Sequence, residues 1–350
     1  NPGSKISVDN GLINFKVLKK ESETLLCKVL DGGKLGSKRH VNLPGVRINL
    51  PSITSKDMDD INFGIKNKVD FIALSFVRDK EDLKKLQQIL DKKKSYAKII
   101  AKIENQDGLD NINDICKFSW GVMVARGDLG IETSLTDLPN IQRKIMHACA
   151  KWGRRSIVAT HLLESMISNP TPTRAEVSDI ANAIYEGADA IMLSGETSIG
   201  KYPKECVQFL KSIAIKTEKF PTLGYEKNLI STTDWEHIGV AAKNLAEATN
   251  ADGIIAITRT GNTATYVANA KPNGIPIYTF TNNKDTYKKL SLVGSSYSYM
   301  IGSLKDHDKT LNKVIKILKN KYDKKTKLKF ILASGIFSEE HSEAIQIINI

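Results

Sequence analysis

The stretch KIIAKIENQDGLDNINDICKFSWGVMVA, which runs from Lys98 to Ala125, contains two short apolar runs on either side of a segment of helix length. The runs are Lys98–Ile103 and Gly121–Ala125. Apolar runs of strand length that alternate with amphipathic helices are typical of parallel βα units. The stretch therefore predicts an α/β fold built on a parallel sheet.

The same alternation extends to both sides of this stretch and gives five βα units. The three further strands are predicted at Phe71–Phe76, Ser156–Thr160 and Ala190–Leu193. Apolar residues at helical spacing lie between the strands, namely Leu83, Leu86 and Ile89 in one segment and Ile141, Ile145, Cys149 and Trp152 in another. A further helix is predicted to begin at a capping box of Thr173 and Glu176 and to end at Gly187.

Two other patterns flank the βα units. Before residue 45 the chain alternates short strands with turns, and Asp9-Asn10-Gly11 and Asp31-Gly32-Gly33 are predicted as the turns. After residue 221 a second α/β pattern predicts helices at Trp235–Ala248 and Thr310–Leu318, and strands at Gly253–Ile257, Ile277–Phe280, Leu328–Ala333 and Ala344–Ile348. We therefore expect three domains, at residues 1–45, 46–221 and 222–350.

The composition narrows the class of protein. The chain has 350 residues, 51 basic and 39 acidic side chains and a net charge of +12. Only 9 of the basic residues are Arg, and the lysine runs are not interleaved with aromatic residues, so we expect a solvated basic surface and no nucleic-acid partner. Such a surface favours small anionic substrates.

No apolar stretch is long enough to span a membrane, and the first residues lack the features of a secretory signal. The four cysteines are widely spaced and predict free thiols in a cytoplasmic protein, and they are Cys27, Cys116, Cys149 and Cys206.

Polar residues follow every predicted strand of the parallel sheet, where α/β barrels carry their catalytic groups. In chain order they are Arg78, then Lys102 with Glu104, then Asp128 in the turn Gly127–Gly130, then Thr160-His161, then Ser194-Gly195-Glu196-Thr197. Alternation along a strand places Lys102 and Glu104 on the same side. Glu104 and Asp128 are hard oxygen ligands on neighbouring strand ends, which favours a Mg²⁺ site that leaves room for substrate oxygens and suits phosphoryl transfer.

Three other polar residues of this region favour structural interpretations. His161 is interpreted as a loop or core histidine. Glu164 and Glu176 are interpreted as structural, Glu176 because of its capping role.

Several motifs of the chain closely resemble those of the pyruvate kinase family. They are VNLPG (Val41–Gly45), LPSITSKDMDDI (Leu50–Ile61), DFIALSFVR (Asp70–Arg78), AKIENQDG (Ala101–Gly108), MVARGDLGIE (Met123–Glu132), VATHLLESM (Val158–Met166), PTPTRAEVSDIANAIYEGADAIMLSGET (Pro170–Thr197) and GKYP (Gly200–Pro203). The resemblance implies a (β/α)₈ TIM-type barrel of which strands 4 to 8 are present, a partial inserted β (lid) domain over residues 1–45, and a C-terminal α/β domain.

The resemblance also implies an activity and the residues that perform it. The reaction would transfer the phosphoryl group of phosphoenolpyruvate to ADP, giving pyruvate and ATP in glycolysis. Glu104 and Asp128 would hold Mg²⁺ or Mn²⁺, and Lys102 would stabilise the phosphoryl group and the enolate oxygen. The N–H groups of Gly127 and Asp128 and the hydroxyl of Thr160 would hold the substrate carboxylate near the carbon that is protonated. K⁺ and a homotetramer are implied as well.

The chain departs from the family pattern in two places. It has no counterpart of the first three barrel strands, which in the family supply phosphate and monovalent-cation ligands, so we expect a shortened chain that is inactive by itself. An open parallel sheet would also leave two exposed edges that favour association. The second departure is Thr160-His161, because relatives often have an amide or another basic residue at the second position, and this leaves the proton-relay network open.

A loop in the C-terminal part is a candidate phosphate site. It comprises Thr258, Arg259, Thr260, Gly261, Asn262 and Thr263, between a strand and a helix. Hydroxyl and N–H groups at a helix N-terminus suit phosphate, and in pyruvate kinases the matching loop binds a sugar-phosphate effector. A plain turn with an N-cap explains the residues equally well. The chain ends as SEEHSEAIQIINI, without the glycine-rich closing loop common in relatives.

Two other functions remain as alternatives. A barrel lyase acting on phosphoenolpyruvate or a 2-oxo acid would use the same Glu and Asp for its metal, and the ADP dependence of pyruvate release distinguishes it. A non-catalytic, shortened paralogue would act through binding alone.

Overall fold

The computed structural model describes residues 1–9, 11–46, 50–304, 306–322, 327–334 and 344–350. The chain forms two compact units. The first unit comprises Asn1–Ile145, Val158–Leu162 and Met192–Ser194. The second unit comprises Met146–Ile157, Leu163–Ile191 and Gly195–Ile350.

A four-stranded antiparallel sheet begins the first unit. Its strands are β1 (Lys5–Val8), β2 (Ile13–Lys20), β3 (Leu25–Asp31) and β4 (Val41–Asn42), in the order β3-β2-β1-β4. β1 and β2 pair with Val8 opposite Ile13, and both of these side chains are buried. The hairpin predicted around Asp9 and Gly11 is confirmed, although Asn10 of its turn lies outside the described residues.

The second predicted turn was wrong. The tight turn lies at Glu21–Thr24, where the N–H of Glu21 donates to the carbonyl of Thr24 at 2.9 Å, and Asp31 is instead the last residue of β3. Polar residues without glycine form this turn. A rule that relies on glycine therefore places the turn too late in the chain.

A five-stranded sheet contains all the strands predicted for the central part of the chain. They are β5 (Phe71–Leu74), β6 (Lys98–Ile103), β7 (Gly121–Ala125), β8 (Arg155–Ala159) and β9 (Ala190–Met192), in the order β5-β6-β7-β8-β9. β5 pairs with β6 and β6 with β7 in parallel. β7 and β8 are buried at every position, as expected for strands with both faces covered.

Helices connect these strands. They are α1 (Ser55–Lys66), α2 (Lys80–Lys92), α3 (Gln106–Asp110), α4 (Ile112–Phe118), α5 (Arg126–Glu132), α6 (Leu138–Lys151), α7 (Arg174–Tyr185), α8 (Gly195–Ser198) and α9 (Pro203–Thr217), with a 3₁₀ turn at Glu164–Ile167. The capping box of Thr173 and Glu176 is confirmed at the start of α7. In α2 the residues Leu83 and Leu86 are buried as predicted, but Leu90 is buried and Ile89 only partly so.

The second unit contains another sheet, which is mainly parallel, together with the helices that flank it. Its elements are α10 (Asp234–Ala248), β10 (Gly253–Ile257), α11 (Asn262–Asn269), β11 (Ile277–Thr281), α12 (Lys284–Lys289), β12 (Ser296–Met300), α13 (His307–Lys321), β13 (Lys329–Ser334) and β14 (Ala344–Asn349), with 3₁₀ turns at Tyr225–Asn228 and Leu290–Leu292. The order is β12-β11-β10-β13-β14, and β14 runs antiparallel to β13. Its core contains Ile255, Phe280, Val314 and Phe330, each fully buried.

The α/β class is confirmed by these two sheets and their helices. β12 was not predicted, although the alternation of Ser and Tyr in its sequence SYSYM is a strand pattern and Tyr favours strands. Among the described residues, no helix is long and apolar enough to cross a membrane.

Candidate active site

The end of β6 carries a buried ion pair. Glu104 directly follows the strand, and its side chain is only 1% exposed. The Nζ of Lys102 lies 2.7 Å from its Oε1. Residues two apart on a strand project to the same side, so the alternation expected from the sequence brings the two charges together.

The segment directly after the neighbouring strand β5 contacts both members of this pair. The N–H of Phe76 donates to Oε2 of Glu104 at 2.6 Å, and the Nζ of Lys102 donates to the hydroxyl of Ser75 at 2.9 Å. Phe76 has a positive φ of 51°, which is unusual for a bulky residue and is a form of strain found at functional sites. Sequence reasoning missed Ser75 and Phe76.

Arg78, which the sequence did single out after β5, has a different role. Its Nε lies 3.1 Å from Oδ2 of Asp82, which is buried near the start of α2, and its Nη1 donates to the carbonyl of Leu50. Burial acts to raise the pKa of Asp82, but the hydrogen bonds and charge of Arg78, with a smaller contribution from Ser52, hold that pKa below its usual range. Arg78 therefore stabilises the N-terminal turn of α2.

The ends of β7 and β8 are joined through Thr160. The N–H of Gly127, in the first turn of α5, donates to Oγ1 of Thr160 at 2.8 Å. The Thr160 hydroxyl donates in turn to the carbonyl of Ala159 at 2.6 Å. Asp128 follows Gly127 in the same turn and is partly buried. The structure thus brings Gly127 and Thr160 into contact, with Asp128 adjacent in the chain.

Arg126 is a further residue that sequence reasoning missed. Its guanidinium is buried and donates through Nε to the carbonyls of Ala159 and Thr160, and through Nη2 to that of Thr160. Thr160 and His161 both have positive φ, 71° and 53°. The guanidinium therefore stabilises a strained backbone at Thr160. An arginine directly after a buried strand was the available signal, because a buried guanidinium requires acceptors.

His161 and Glu164 are both exposed, so His161 is a loop residue and not a core one, and the structural interpretation of Glu164 stays a prediction. In the second unit, Glu176 accepts hydrogen bonds from the N–H and the hydroxyl of Ser165 at 2.7 and 2.6 Å in addition to its capping bonds. Burial acts to raise the pKa of Glu176, but these hydrogen bonds outweigh it and lower the pKa. Glu196 is fully buried and accepts from the N–H of Leu163 at 3.0 Å. Both carboxylates therefore stabilise the segment after β8.

Two family models together match most of the chain. The model described as "Pyruvate kinase, barrel domain" matches residues 1–207, and the one described as "Pyruvate kinase, alpha/beta domain" matches residues 236–348. The chain belongs to the pyruvate kinase family. The TIM-type barrel and the C-terminal α/β domain expected from the sequence are therefore confirmed as its fold class.

Individual members of the pyruvate kinase family are similar over nearly all of this chain. A pyruvate kinase from Staphylococcus epidermidis is 41% identical over 321 residues, covering 90% of this chain and 55% of the relative. One from Staphylococcus saprophyticus is 42% identical over 320 residues, covering 89% and 54%. A crystal structure of a pyruvate kinase from Cryptosporidium parvum superposes with a TM-score of 0.92 at 31% identity, covering 99% of this chain and 72% of that one. The chain spans about half the length of the curated relatives.

The residues at the strand ends fit a divalent metal that is shared with a substrate. Within the described ranges, no three or more His, Cys, Asp or Glu residues form a cluster that could hold a metal ion. Mg²⁺, however, is often bound by one or two carboxylates together with water and substrate oxygens. Glu104 and Asp128 supply two such carboxylates after the adjacent strands β6 and β7, and Glu104 already accepts a cation, the ammonium of Lys102.

The candidate phosphate loop of the C-terminal α/β domain has a buried side and an exposed side. The hydroxyl of Thr258, which is buried, accepts from the N–H of Gly261 at 2.9 Å, and Gly261 has a φ of 93°. Arg259, Thr260 and Asn262 are exposed. The turn is therefore stabilised from inside, while three polar residues face solvent at the start of α11.

Proposed function

We propose that this chain is part of a pyruvate kinase, which transfers the phosphoryl group of phosphoenolpyruvate to ADP and releases pyruvate and ATP. The observation that supports this most strongly is the Lys102–Glu104 pair, fixed by Ser75 and Phe76, on the strand next to the one that leads to Asp128. Phosphoryl transfer depends mainly on positioned charge, and this site concentrates charge at one end of the sheet.

Lys102 would act on the charge that moves during the reaction. Its ammonium has three donors, and two of its contacts are Ser75 and Glu104. Bound substrate would draw the ammonium toward the phosphoryl oxygens, where a cation stabilises the transition state more than the ground state.

Glu104 and Asp128 would hold Mg²⁺ or Mn²⁺. Such an ion, when bound, supplies charge neutralisation and polarises the substrate oxygens. The Phe76 N–H would keep the Glu104 carboxylate oriented toward it, while Ser75 holds the ammonium of Lys102. K⁺ is proposed from the family resemblance, without an assigned ligand.

Gly127, Asp128 and Thr160 would hold the substrate carboxylate. The Gly127 N–H donates to the Thr160 hydroxyl, so a bound carboxylate would replace Thr160 as its acceptor, and the Thr160 hydroxyl would reorient toward the substrate. The same hydroxyl would then lie near the carbon that is protonated. Arg126 would keep the Thr160 backbone in its strained conformation through this exchange.

Further parts of the proposal follow the family resemblance. These parts are the division into three domains at residues 1–45, 46–221 and 222–350, a homotetramer, a cytoplasmic location and a role in glycolysis. Thr258, Arg259, Thr260, Gly261, Asn262 and Thr263 would bind a sugar-phosphate effector. The exposed side of that loop supports this assignment.

A coupled assay of pyruvate formation on the purified protein of native length tests the proposal. Pyruvate should form only when phosphoenolpyruvate, ADP and Mg²⁺ are all present. Pyruvate release without ADP would support a lyase and refute the kinase. Absence of turnover and of phosphoenolpyruvate binding would support the non-catalytic alternative.

A variant of Lys102 tests the assigned role. Lys102→Met should abolish phosphoryl transfer while deuterium exchange of the pyruvate methyl group, followed by NMR, is less affected. Lys98→Met is the matched control, because Lys98 is exposed at the start of the same strand. Equal loss of both half-reactions in Lys102→Met would indicate that Lys102 only supports the fold.

A further inference from the structure

A cavity of about 400 Å³ lies within the second unit, and the proposed reaction does not use it. Its wall is formed by the end of α7 and the turn into β9, the segment after α9, the turn between α11 and β11, and the start of β12. This volume falls within the range of small-molecule sites. Charged and aromatic side chains both line it.

A buried carboxylate, Asp189, and one cation, Lys271, lie in the wall of the cavity, and a second cation, Arg155, which is not part of the wall, also pairs with Asp189. The side chain of Asp189 is 1% exposed, and its Oδ1 lies 2.9 Å from Nη1 of Arg155 and 2.8 Å from Nζ of Lys271. The N–H of Gly294 also donates to Oδ1, and the N–H of Ser156 donates to Oδ2 at 2.9 Å. The single negative charge of Asp189 is therefore shared by the positive charges of Arg155 and Lys271. This leaves an excess positive charge in a buried position.

Both cations retain donors without acceptors. The Nε of Arg155 is buried and has no hydrogen-bond partner among the described residues. Among the residues that the structure describes, Asp189 is the one hydrogen-bond acceptor found for the ammonium of Lys271, although an ammonium has three donors. Burial, together with the neighbouring charge of Arg155, lowers the pKa of Lys271 despite the opposing effect of Asp189, so Asp189 does not fully compensate the ammonium. A buried unsatisfied donor is often explained by a bound water or ion.

Aromatic rings form the opposite side. Tyr278 and Tyr297 have ring centroids 5.8 Å apart, and the Nζ of Lys321 lies 4.6 and 4.3 Å from their centroids. Tyr297 is 50% exposed, so its ring is available to a ligand. Glu218 is the second carboxylate of the wall, and burial raises its pKa, which makes it a weaker counter-charge than an ordinary glutamate.

We propose that this cavity binds a small organic anion with a planar apolar body. Its carboxylate would accept from the ammonium of Lys271, and its ring would pack against Tyr297 beneath Lys321. Desolvated charge-assisted hydrogen bonds and ring packing would provide the affinity. The site is separate from the loop at Thr258–Thr263 and does not depend on the proposed function.

Calorimetric titration of the native-length protein tests this proposal with phenylacetate as the probe. Phenylacetate should bind with one site per chain. The affinity of neutral phenylacetamide should be lower by about tenfold or more, because it cannot neutralise Lys271. Inorganic phosphate should also bind more weakly, because it offers no ring. Equal binding of phenylacetate and phenylacetamide, or of phenylacetate and phosphate, would overturn the proposal.

Variants locate the site. Tyr297→Ala and Lys271→Met should each weaken phenylacetate binding about tenfold, while Lys271→Arg retains most of it. Lys319→Met is the matched control, since Lys319 is an exposed lysine of α13, and it should bind like the unaltered protein. Circular dichroism checks folding, and Tyr297→Ala keeps the test valid if Lys271→Met does not fold. Unchanged affinity in Tyr297→Ala, or no measurable heat with phenylacetate, would refute the site.

Discussion

The ammonium of Lys102 lies 2.7 Å from a carboxylate oxygen of Glu104 that is almost completely shielded from solvent. A buried carboxylate requires a cation or hydrogen-bond donors, and here a cation contacts one oxygen while the N–H of Phe76 donates to the other. Any divalent ion at Glu104 must therefore share that carboxylate with Lys102. The proposed metal and the proposed catalytic cation are coupled through one side chain.

Glu104→Gln should lower turnover by about a hundredfold or more and raise the Mg²⁺ concentration needed for half-maximal rate, because a charged ligand is lost. Steady-state rates at varied Mg²⁺ in the native-length protein measure this. Asp110→Asn is the control, since Asp110 is an exposed carboxylate bound by Gln106 on α3. Unchanged metal dependence in Glu104→Gln would contradict the assignment.

Thr160→Ala should lower the rate of pyruvate methyl exchange and of the overall reaction about tenfold or more, because Gly127 loses the acceptor of its N–H and the substrate loses a hydroxyl. Thr160→Ser keeps the hydroxyl and should retain most of the activity. The two variants are compared in the same exchange experiment. Equal rates in both would show that the hydroxyl has no part in the reaction.

Arg126→Lys should lower kcat more than it changes KM, because a lysine lacks the rigid planar fork that donates to the carbonyls of Ala159 and Thr160 in fixed directions. We expect a loss of stability of about 1 to 3 kcal/mol as well. Kinetics and urea unfolding measure the two effects, with Arg143→Lys as the control because Arg143 is exposed on α6. A loss of stability with kcat unchanged would assign Arg126 to the fold alone.

Glu176→Gln should reduce the acid sensitivity of folding. The folded state lowers the pKa of Glu176, so its stabilising contribution is present above the unfolded pKa of about 4.3 and disappears as the pH falls through the lower folded value. The variant should thus be less stable than the native protein near neutral pH, and the difference should shrink below about pH 4. Urea unfolding across pH measures this, with Glu164→Gln as an exposed control. A difference that stays constant with pH would rule out the linkage.

Thr258→Val and Thr260→Val should separate the stability of the candidate phosphate loop from its binding. Thr258→Val removes the buried acceptor of the Gly261 N–H and should cost about 1 to 3 kcal/mol of stability. Thr260→Val alters an exposed hydroxyl, so it should weaken binding of a hexose bisphosphate with little change in stability. Thermal unfolding with and without the bisphosphate distinguishes the two. Binding that is equal in native protein and Thr260→Val would support the plain turn.

Much of the fold follows from local rules that the sequence expresses directly. The apolar runs of β6 and β7 lie within the predicted bounds, because a buried parallel strand needs a continuous apolar segment. Alternation alone places Lys102 beside Glu104, and the Thr173 and Glu176 pair starts α7. Each of these rules acts over a few residues, so a single chain segment contains the information.

The tertiary structure alone decided which distant residues complete the site. Phe76 and Glu104 are 28 residues apart, and Gly127 and Thr160 are 33 apart, so their contacts depend on the order of the strands and not on any local pattern. The same holds for the pairing of Lys271 with Asp189 across 82 residues. A buried charge is stable only when its partners arrive from other elements, and the packing of the sheet determines which partners those are.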